Sequence, residues 1–398
     1  MEVPMEDEAV RLTHGLAEAT RTSPEDWYLV YKARYAMEVV FEALAASDPS
    51  VRSVVTQPFT CCTAVDPILV AGLVPVYGDI DADTVSLDPA VLPLGEGVGA
   101  VVLQHSFGII DDASSRELVE RAHGVGALVL EDSAHCATRM ALTDQGRPVA
   151  DVSVHSFGAE KMLRTSFGGA VWINPRGRRP QALSIARERL AALEPVCGGV
   201  ARAARLYLNE NRVLNRLPRK AAVFLRRSLV AARLLEPAVA DKEMAGGLLH
   251  GPMAPDRWIC AQVNNELKRA PQNMGSRREV VSAFIEAFGG SVPYPAAQGS
   301  DPVQPLLRFS VVAPSTETSR EVIRRVRELG YLAEDWYRPS LYPGVVDPGA
   351  YGLPAVGTLP VCDRVTAGIV NLPTEVPVDA VAPMAEAVKQ VLWTPSNM

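Results

Sequence analysis

Apolar positions recur along this chain with two periods that take turns. Between Arg34 and Ala46, Met37, Val40, Phe41 and Leu44 fall at helical spacing and predict an amphipathic helix. Val51–Val55 is a short strand-like run, followed by a polar and aromatic loop, Thr56–Cys62. Helical spacing resumes over Ala64–Ala71 and stops at Gly72, a residue suited to the position just past a helix. Val74–Tyr77 reads as a strand running into Asp79-Ile80-Asp81. Gly99–Leu103 and Ala127–Leu130 read as buried strands, with the helix Ser115–Ala122 between them. Val152–Phe157 and Ala170–Ile173 add two more strands. Strands apolar on both faces, alternating with helices, imply an α/β fold with a parallel sheet covered on both sides.

The flanks read differently. Residues 1–26 suggest an arm or short helix ending near Ser23-Pro24, and 181–235 read as helix throughout, rich in Ala, Leu and Arg. Beyond Gly251 proline becomes frequent. Helices are predicted near Trp258–Leu267 and Arg277–Phe288, a strand over Leu306–Val312, a helix over Ser319–Leu329 closed by Gly330, a strand over Ile369–Leu372 and a last helix over 380–392. The expected organisation is an N-terminal arm (1–26), a large domain (27–250) and a smaller C-terminal α+β domain (251–398).

Composition narrows the classes. At 398 residues, 48% apolar and 21% charged, the chain reads as an ordinary folded protein, and a net charge of −7 argues against a nucleic-acid coat. Six cysteines at irregular spacing form neither a disulfide framework nor a zinc signature, so no metal site is expected and a reducing cytoplasm is the natural compartment. Glu2, Glu6, Asp7 and Glu8 at the N-terminus predict no signal peptide, and no apolar run approaches the roughly 18 residues of a membrane helix. The charge is uneven. Arg176–Arg233 holds 14 basic and 3 acidic residues, a net of +11, while the rest of the chain nets −18. Such a run is either the solvated face of surface helices or a surface for an anionic substrate, a partner subunit or a membrane.

In open α/β sheets, ligands bind beyond the carboxyl ends of the strands. Two predicted strand ends carry polar residues that are otherwise poorly placed. Glu131-Asp132-Ser133-Ala134-His135 follows the strand Ala127–Leu130. A carboxylate there is costly unless paired or hydrogen-bonded, or it caps the next turn. Ser156-Phe157-Gly158-Ala159-Glu160-Lys161 follows the next strand, with Gly168-Gly169 beyond. Lys161 is either a solvated loop lysine or a partly desolvated, nucleophilic one. A lysine that forms a Schiff base and an aspartate that keeps a pyridine nitrogen protonated are the two protein groups pyridoxal phosphate requires. Asp132 and Lys161, one strand apart, suit that pair.

These segments resemble the DegT/DnrJ/EryC1/StrS sugar aminotransferases, fold-type I pyridoxal-phosphate enzymes. Thr56-Gln57-Pro58-Phe59-Thr60 is similar to the family's Pro-x-x-Thr loop, and Gly72–Asp81 to its Gly-x-x-Pro-Val-Phe-x-Asp-Ile-Asp segment. Glu131–His135 matches Glu-Asp-Ala-Ala-Gln/His, and Ser156-Phe157 with Lys161 matches Ser-Phe-x-x-x-Lys, with Gly168-Gly169-Ala170 after it. Trp336-Tyr337-Arg338-Pro339 and Asn371-Leu372-Pro373-Thr374 also look like family segments. The order and spacing of these pieces carry the resemblance.

The resemblance implies roles. Lys161 is the lysine that holds pyridoxal 5′-phosphate, Asp132 pairs with its ring nitrogen, His135 lies near its phenolic oxygen and Ser156 binds its phosphate. Arg34 and Tyr35 fall where the family opens a phosphate-binding helix. Thr60 and Cys61 fall on the cofactor loop. Cys61 replaces the usual ring-stacking aromatic, so either another ring, such as Phe59, takes that place or the stacking is lost. The family's Gly-x-Asn-x-Arg loop is missing near Gly251, with Asn209-Glu210-Asn211-Arg212 as a weak stand-in. The implied activity transfers an amino group from glutamate or glutamine to a keto sugar, nucleotide sugar or cyclitol, in a homodimer with sites at the interface. A decarboxylase or lyase on the same fold, or a non-catalytic regulatory relative, are the alternatives.

Overall fold

The computed structural model describes residues 7–393; the acidic residues Glu2 and Glu6 used in the N-terminal reading lie outside them. The elements are α1 (Glu8–Thr20), β1 (Trp27–Val30), α2 (Ala33–Ser47), β2 (Ser53–Thr56), α3 (Asp66–Val70), β3 (Val74–Tyr77), β4 (Val98–Gln104), α4 (Asp112–Gly124), β5 (Leu128–Asp132), β6 (Val152–Ser156) and β7 (Gly169–Ile173). There follow α5 (Pro180–Ala191), α6 (Gly198–Leu214), α7 (Arg219–Ala231), α8 (Arg257–Phe288), β8 (Arg308–Val312), α9 (Thr316–Glu328), α10 (Pro360–Gly368), β9 (Ile369–Pro373) and α11 (Val381–Leu392).

β1 to β7 form one sheet in the order β1-β7-β6-β5-β4-β2-β3. β3, β2, β4, β5 and β6 run parallel, and β7 is antiparallel to both β6 and β1. β4, β5, β6 and β7 are buried almost throughout, which is why they read as near-continuous apolar runs. On one face Val39, Val40 and Leu44 of α2 and Leu183 and Ala186 of α5 pack with Leu130, Val152 and Val171 of the strands. On the other, Leu118, Val119 and Ala122 of α4 pack with Val101, Leu103 and Val129. At the β3 edge Val74 and Gly78 donate to Arg52 and Thr56, so the intervening Pro75 lies on the outer, unpaired side of that strand. β8 and β9 form a separate antiparallel pair against α8, α9 and α11.

Sequence and structure part at four places. Trp27–Val30, unassigned in the sequence, is the closing strand β1: its four apolar residues show no alternation, buried at both ends and half-buried between. The helical stretch 181–235 is three helices, interrupted at 192–197 around Pro195 and at 215–218, where Pro218 precedes α7. The helices expected at 258–267 and 277–288 are one 32-residue helix that runs through Pro271. Ile259, Val263, Ala270, Val280, Phe284 and Phe288 bury one continuous stripe, and Pro271 sits on the exposed side, so packing overrides the break. α10 was not expected. Its N-terminus is organised from a distance, by Asp79 accepting the amides of Val361 and Cys362 at 3.0 and 2.8 Å.

Candidate active site

The carboxyl ends of β4, β5 and β6 open into one cleft of about 1030 Å3, its mouth included. Its lining brings together Arg34, Thr60, Cys61, Asp132, His135, Ser156 and Lys161. The β5–β6 register pairs Asp132 with Val154, so Asp132 and the loop after Ser156 rise from adjacent strand ends. That loop turns tightly: Lys161 N donates to Gly158 O, and Gly158 N to Leu163 O. Gly169 returns the chain beside α2. A Cβ there would lie 2.9 Å from Ala33 N and 3.0 Å from His155 O, so only glycine lets the start of α2 come this close.

The two residues of the central pair are both uncommitted. Lys161 Nζ makes no hydrogen bond or ion pair among the described residues. Burial lowers its pKa, opposed by the charge of Asp132. Asp132 Oδ1 accepts the Ala134 amide at 3.0 Å, and its second oxygen has no hydrogen-bond partner among the described residues. Burial raises its pKa while Ala134 and Lys161 pull it down. The neighbouring Glu131 is the opposite case. It is fully buried and accepts from His105 at 2.8 Å, the Ala141 amide at 2.6 Å and Ser153 Oγ at 2.5 Å, bonds that outweigh burial and hold its pKa down.

His135 is fixed in tautomer. The Phe107 amide donates to Nδ1 at 3.0 Å, so Nε2 carries the hydrogen, 3.3 Å from the Tyr337 hydroxyl. Burial keeps the ring neutral. The rings of His135 and Tyr337 are parallel within 7°, with centroids 6.1 Å apart. Tyr337 thus brings the Trp336–Pro339 segment to the cleft. Thr60 gives its hydroxyl to Gln104. Cys61 Sγ accepts from Thr63 at 3.1 Å, and its thiol is drawn down to about 6 by Cys62, Thr63 and Arg34.

Three sequence-based expectations need correction. Tyr35 does not line the cleft. It is one residue, hence about 100°, round the helix from Arg34, and its ring is fully buried in the core. Phe59 does not replace the ring-stacking aromatic: it is fully buried, edge-on to Phe107 and Tyr337 at 6.0 and 5.4 Å. Asn211 does not reach the cleft lining. Its amide is used within the helices, donating to Tyr207 O at 2.9 Å and accepting from Arg226 at 2.5 Å.

The cleft also holds Lys32, Tyr207 and Ser166, none of them singled out from the sequence. Lys32 is 2.5 Å from Glu236, and Arg34 is 2.6 Å from Glu243 and donates to Ala238 O. Both cations beside the start of α2 are therefore met by carboxylates of the 236–243 segment. Nothing in the sequence links positions about 200 residues apart, although the apolar setting of Lys32 in Val30-Tyr31-Lys32 was a usable hint. Tyr207 of α6 and Ser166 line the cleft as well, and Ser166 Oγ is buried without a partner among the described residues.

Residues 30–183 match the DegT/DnrJ/EryC1/StrS aminotransferase family. The match holds the last residue of β1, all of β2 to β7 and every cleft residue assigned from the sequence. Over 118 residues the chain is 33% identical to the spore coat polysaccharide biosynthesis protein SpsC of Bacillus subtilis, spanning 29% of this chain and 30% of that one. Among solved structures, the aminotransferase TlmJ of Streptoalloteichus hindustanus is similar at 22% identity and TM-score 0.67, covering 97% of this chain and 90% of its own. Spr1654 of Streptococcus pneumoniae in its PLP form gives 18% identity and TM-score 0.70, with 97% and 91% covered. Helicobacter pylori PseC, an aminotransferase of pseudoaminic acid biosynthesis, gives 15% and 0.69, with 98% and 93% covered. The fold is shared with these aminotransferases, and members of the matched family depend on pyridoxal phosphate. The donor set here fits that cofactor: an uncommitted amine, a carboxylate with one open oxygen, and the unpartnered buried hydroxyl of Ser166 in one cleft.

Proposed function

We propose that this chain is a pyridoxal-phosphate-dependent aminotransferase. It moves an amino group from glutamate or glutamine to a keto group on a sugar, nucleotide sugar or cyclitol. The observation that carries this reading is Lys161, without a counter-ion contact among the described residues, lining the same cleft as the half-engaged carboxylate of Asp132. When bound, the cofactor supplies an electron sink for negative charge developing at the donor's α-carbon.

The chain's own residues do the rest. The open oxygen of Asp132 holds the proton on the cofactor's ring nitrogen. Lys161 Nζ holds the cofactor covalently. Once released, its depressed pKa suits it to take the donor's α-proton and to return one in the acceptor half-reaction. His135, kept neutral with its hydrogen on Nε2, is a donor for the phenolic oxygen. Ser156 and the first-turn amides of α2 hold the phosphate, because helix N-termini offer unpaired N–H groups. Thr60, tied to Gln104, positions the loop that presents Cys61. The same reading carries a homodimer with its sites at the interface, working in a reducing cytoplasm that suits the six free thiols.

Borohydride reduction followed by peptide mapping tests it. The cofactor's mass is expected on Lys161 alone; a label elsewhere, or no bound cofactor, would sink the proposal. Mixing with glutamate is expected to convert the cofactor's absorbance to that of its amine form. An unchanged spectrum across a panel of amino donors would favour another reaction on this fold.

A further inference from the structure

None of the described side chains of α7 is buried. Its half-buried residues are Ala222, Arg226, Leu229 and Val230, an i, i+4, i+7, i+8 set that marks one face. That face leans on α6, where Arg226 donates to Asn211 at 2.5 Å and Asn215 at 3.4 Å. The opposite face presents Ala221, Phe224, Leu225 and Ser228 to solvent, and the exposed Leu217 lies in the turn just before the helix. Phe224 is 74% exposed. Lys220 and Arg227, seven residues apart, flank this apolar strip on one side. From Asn211 to Leu235 the chain has seven Lys and Arg and no Asp or Glu.

We propose that α7 docks the protein on an anionic lipid surface. Leu217, Phe224 and Leu225 enter the boundary between headgroups and acyl chains, and Lys220 and Arg227, with the exposed Arg212, Arg216 and Arg233, meet the headgroup phosphates. A short helix with an aromatic and aliphatic strip, a Lys and Arg flank and low net hydrophobicity is suited to lie in that interface. Charge complementarity selects the occupant, because a cluster of basic residues is drawn to an anionic leaflet. Thirteen residues of helix span only about 20 Å, too short to cross, and no helix among the described residues is long and apolar enough to do so. A symmetric contact between two copies of this face would oppose seven positive charges to seven, with no acid in the segment to pair them.

The test uses the full chain with vesicles of phosphatidylcholine, alone or mixed with phosphatidylglycerol. Binding is expected only to the mixed vesicles, and to weaken as salt is raised. Lys220→Gln with Arg227→Gln weakens it by about fivefold per charge removed. Phe224→Ser with Leu225→Ser weakens it further without changing the salt dependence. Phe224→Trp shifts its emission to the blue on mixed vesicles. The proposal is overturned by absence of binding, or by binding indifferent to Phe224 and Leu225. It is also overturned if polyglutamate binds as tightly as the mixed vesicles, or if Phe224→Trp shifts with protein concentration alone, which means a second copy covers the face. The borohydride label on Lys161 must survive in each variant, so a misfolded protein and a failed aminotransferase reading are both told apart from failed docking.

Discussion

Lys161 and Asp132 set each other's protonation. Burial disfavours both charged forms, and the charge of each restores part of the other. Asp132→Asn removes the anion that favours the ammonium, so the Lys161 pKa falls further. In the cofactor-free protein, reductive methylation of Lys161 is expected to begin at lower pH in the variant; an unmoved profile would show that the two residues are not coupled. In the loaded enzyme the same variant is expected to slow the proposed half-reaction with glutamate by at least about 100-fold, measured by stopped-flow absorbance. The linkage has a definite sign. A lysine whose folded value lies below its ordinary 10.5 takes up its proton more readily in the unfolded chain. Its contribution to stability therefore grows as pH rises from the depressed value to the ordinary one. Asp132 and Lys161 were legible in the sequence because each follows a strand end by a few residues. Tyr35 was misread because adjacent helical residues point about 100° apart, and Phe59 because ring type alone does not say which way a loop side chain turns. Glu236 and Glu243, which neutralise Lys32 and Arg34, are joined to them only by the fold.

Two elements are held in place against local preference. The close approach of β7 to α2 depends on Gly169. Gly169→Ala places a carbon 2.9 Å from the Ala33 amide, and the helix must retreat from the site it opens. The variant is expected to fold with little change in far-ultraviolet circular dichroism while its cofactor dissociation constant rises at least about tenfold, a loss of about 1.4 kcal/mol. Unchanged affinity would mean the start of α2 takes no part in binding. α8 runs through Pro271, which cannot donate to the preceding turn. Pro271→Ala restores that bond on an exposed face and is expected to stabilise by about 1–3 kcal/mol, less the entropy the unfolded chain regains. Thermal denaturation reads the gain, and a lower midpoint would show that the helix needs its proline. The paired helices expected on either side of Pro271 show the limit of local signals: the apolar period across it was present, but the proline outweighed it. The chain's other buried surprise, Arg277 within α8, is held by Thr374 at 2.7 Å, Glu375 at 2.9 Å and Leu307 O. That gives the Asn371–Thr374 segment a structural task.

At the scale of the whole molecule, the charge division follows the architecture. The segment with net +11 is α5, α6, α7 and their joints, and the rest, at −18, builds both sheets. The α/β alternation and the order of the cofactor segments were readable because buried parallel strands and short motifs are local patterns. The layout of 176–256 was not, since its helices are placed by Arg226 on Asn211 and by Glu236 and Glu243 on the cleft cations, contacts that no period encodes. The seven-stranded sheet has two rims, and they are finished differently. Past β1, the Tyr31 amide is taken by Met253 O at 2.8 Å. At β3 the rim is Val-Pro-Val-Tyr, with Val74 57% exposed. That composition would invite a foreign strand to add on, but only Val74 is exposed, and Pro75, buried beside it, also removes a donor from the outward row. Pro75→Val restores the donor to a β-branched run. The variant is expected to keep the parent's monomer fold yet scatter light and sediment as larger species with rising concentration; parental behaviour would mean the rim is protected by other means. A single ring-closed residue thus acts as a guard against fibre growth, and it makes the β3 edge a poor place to look for any partner that binds by strand addition.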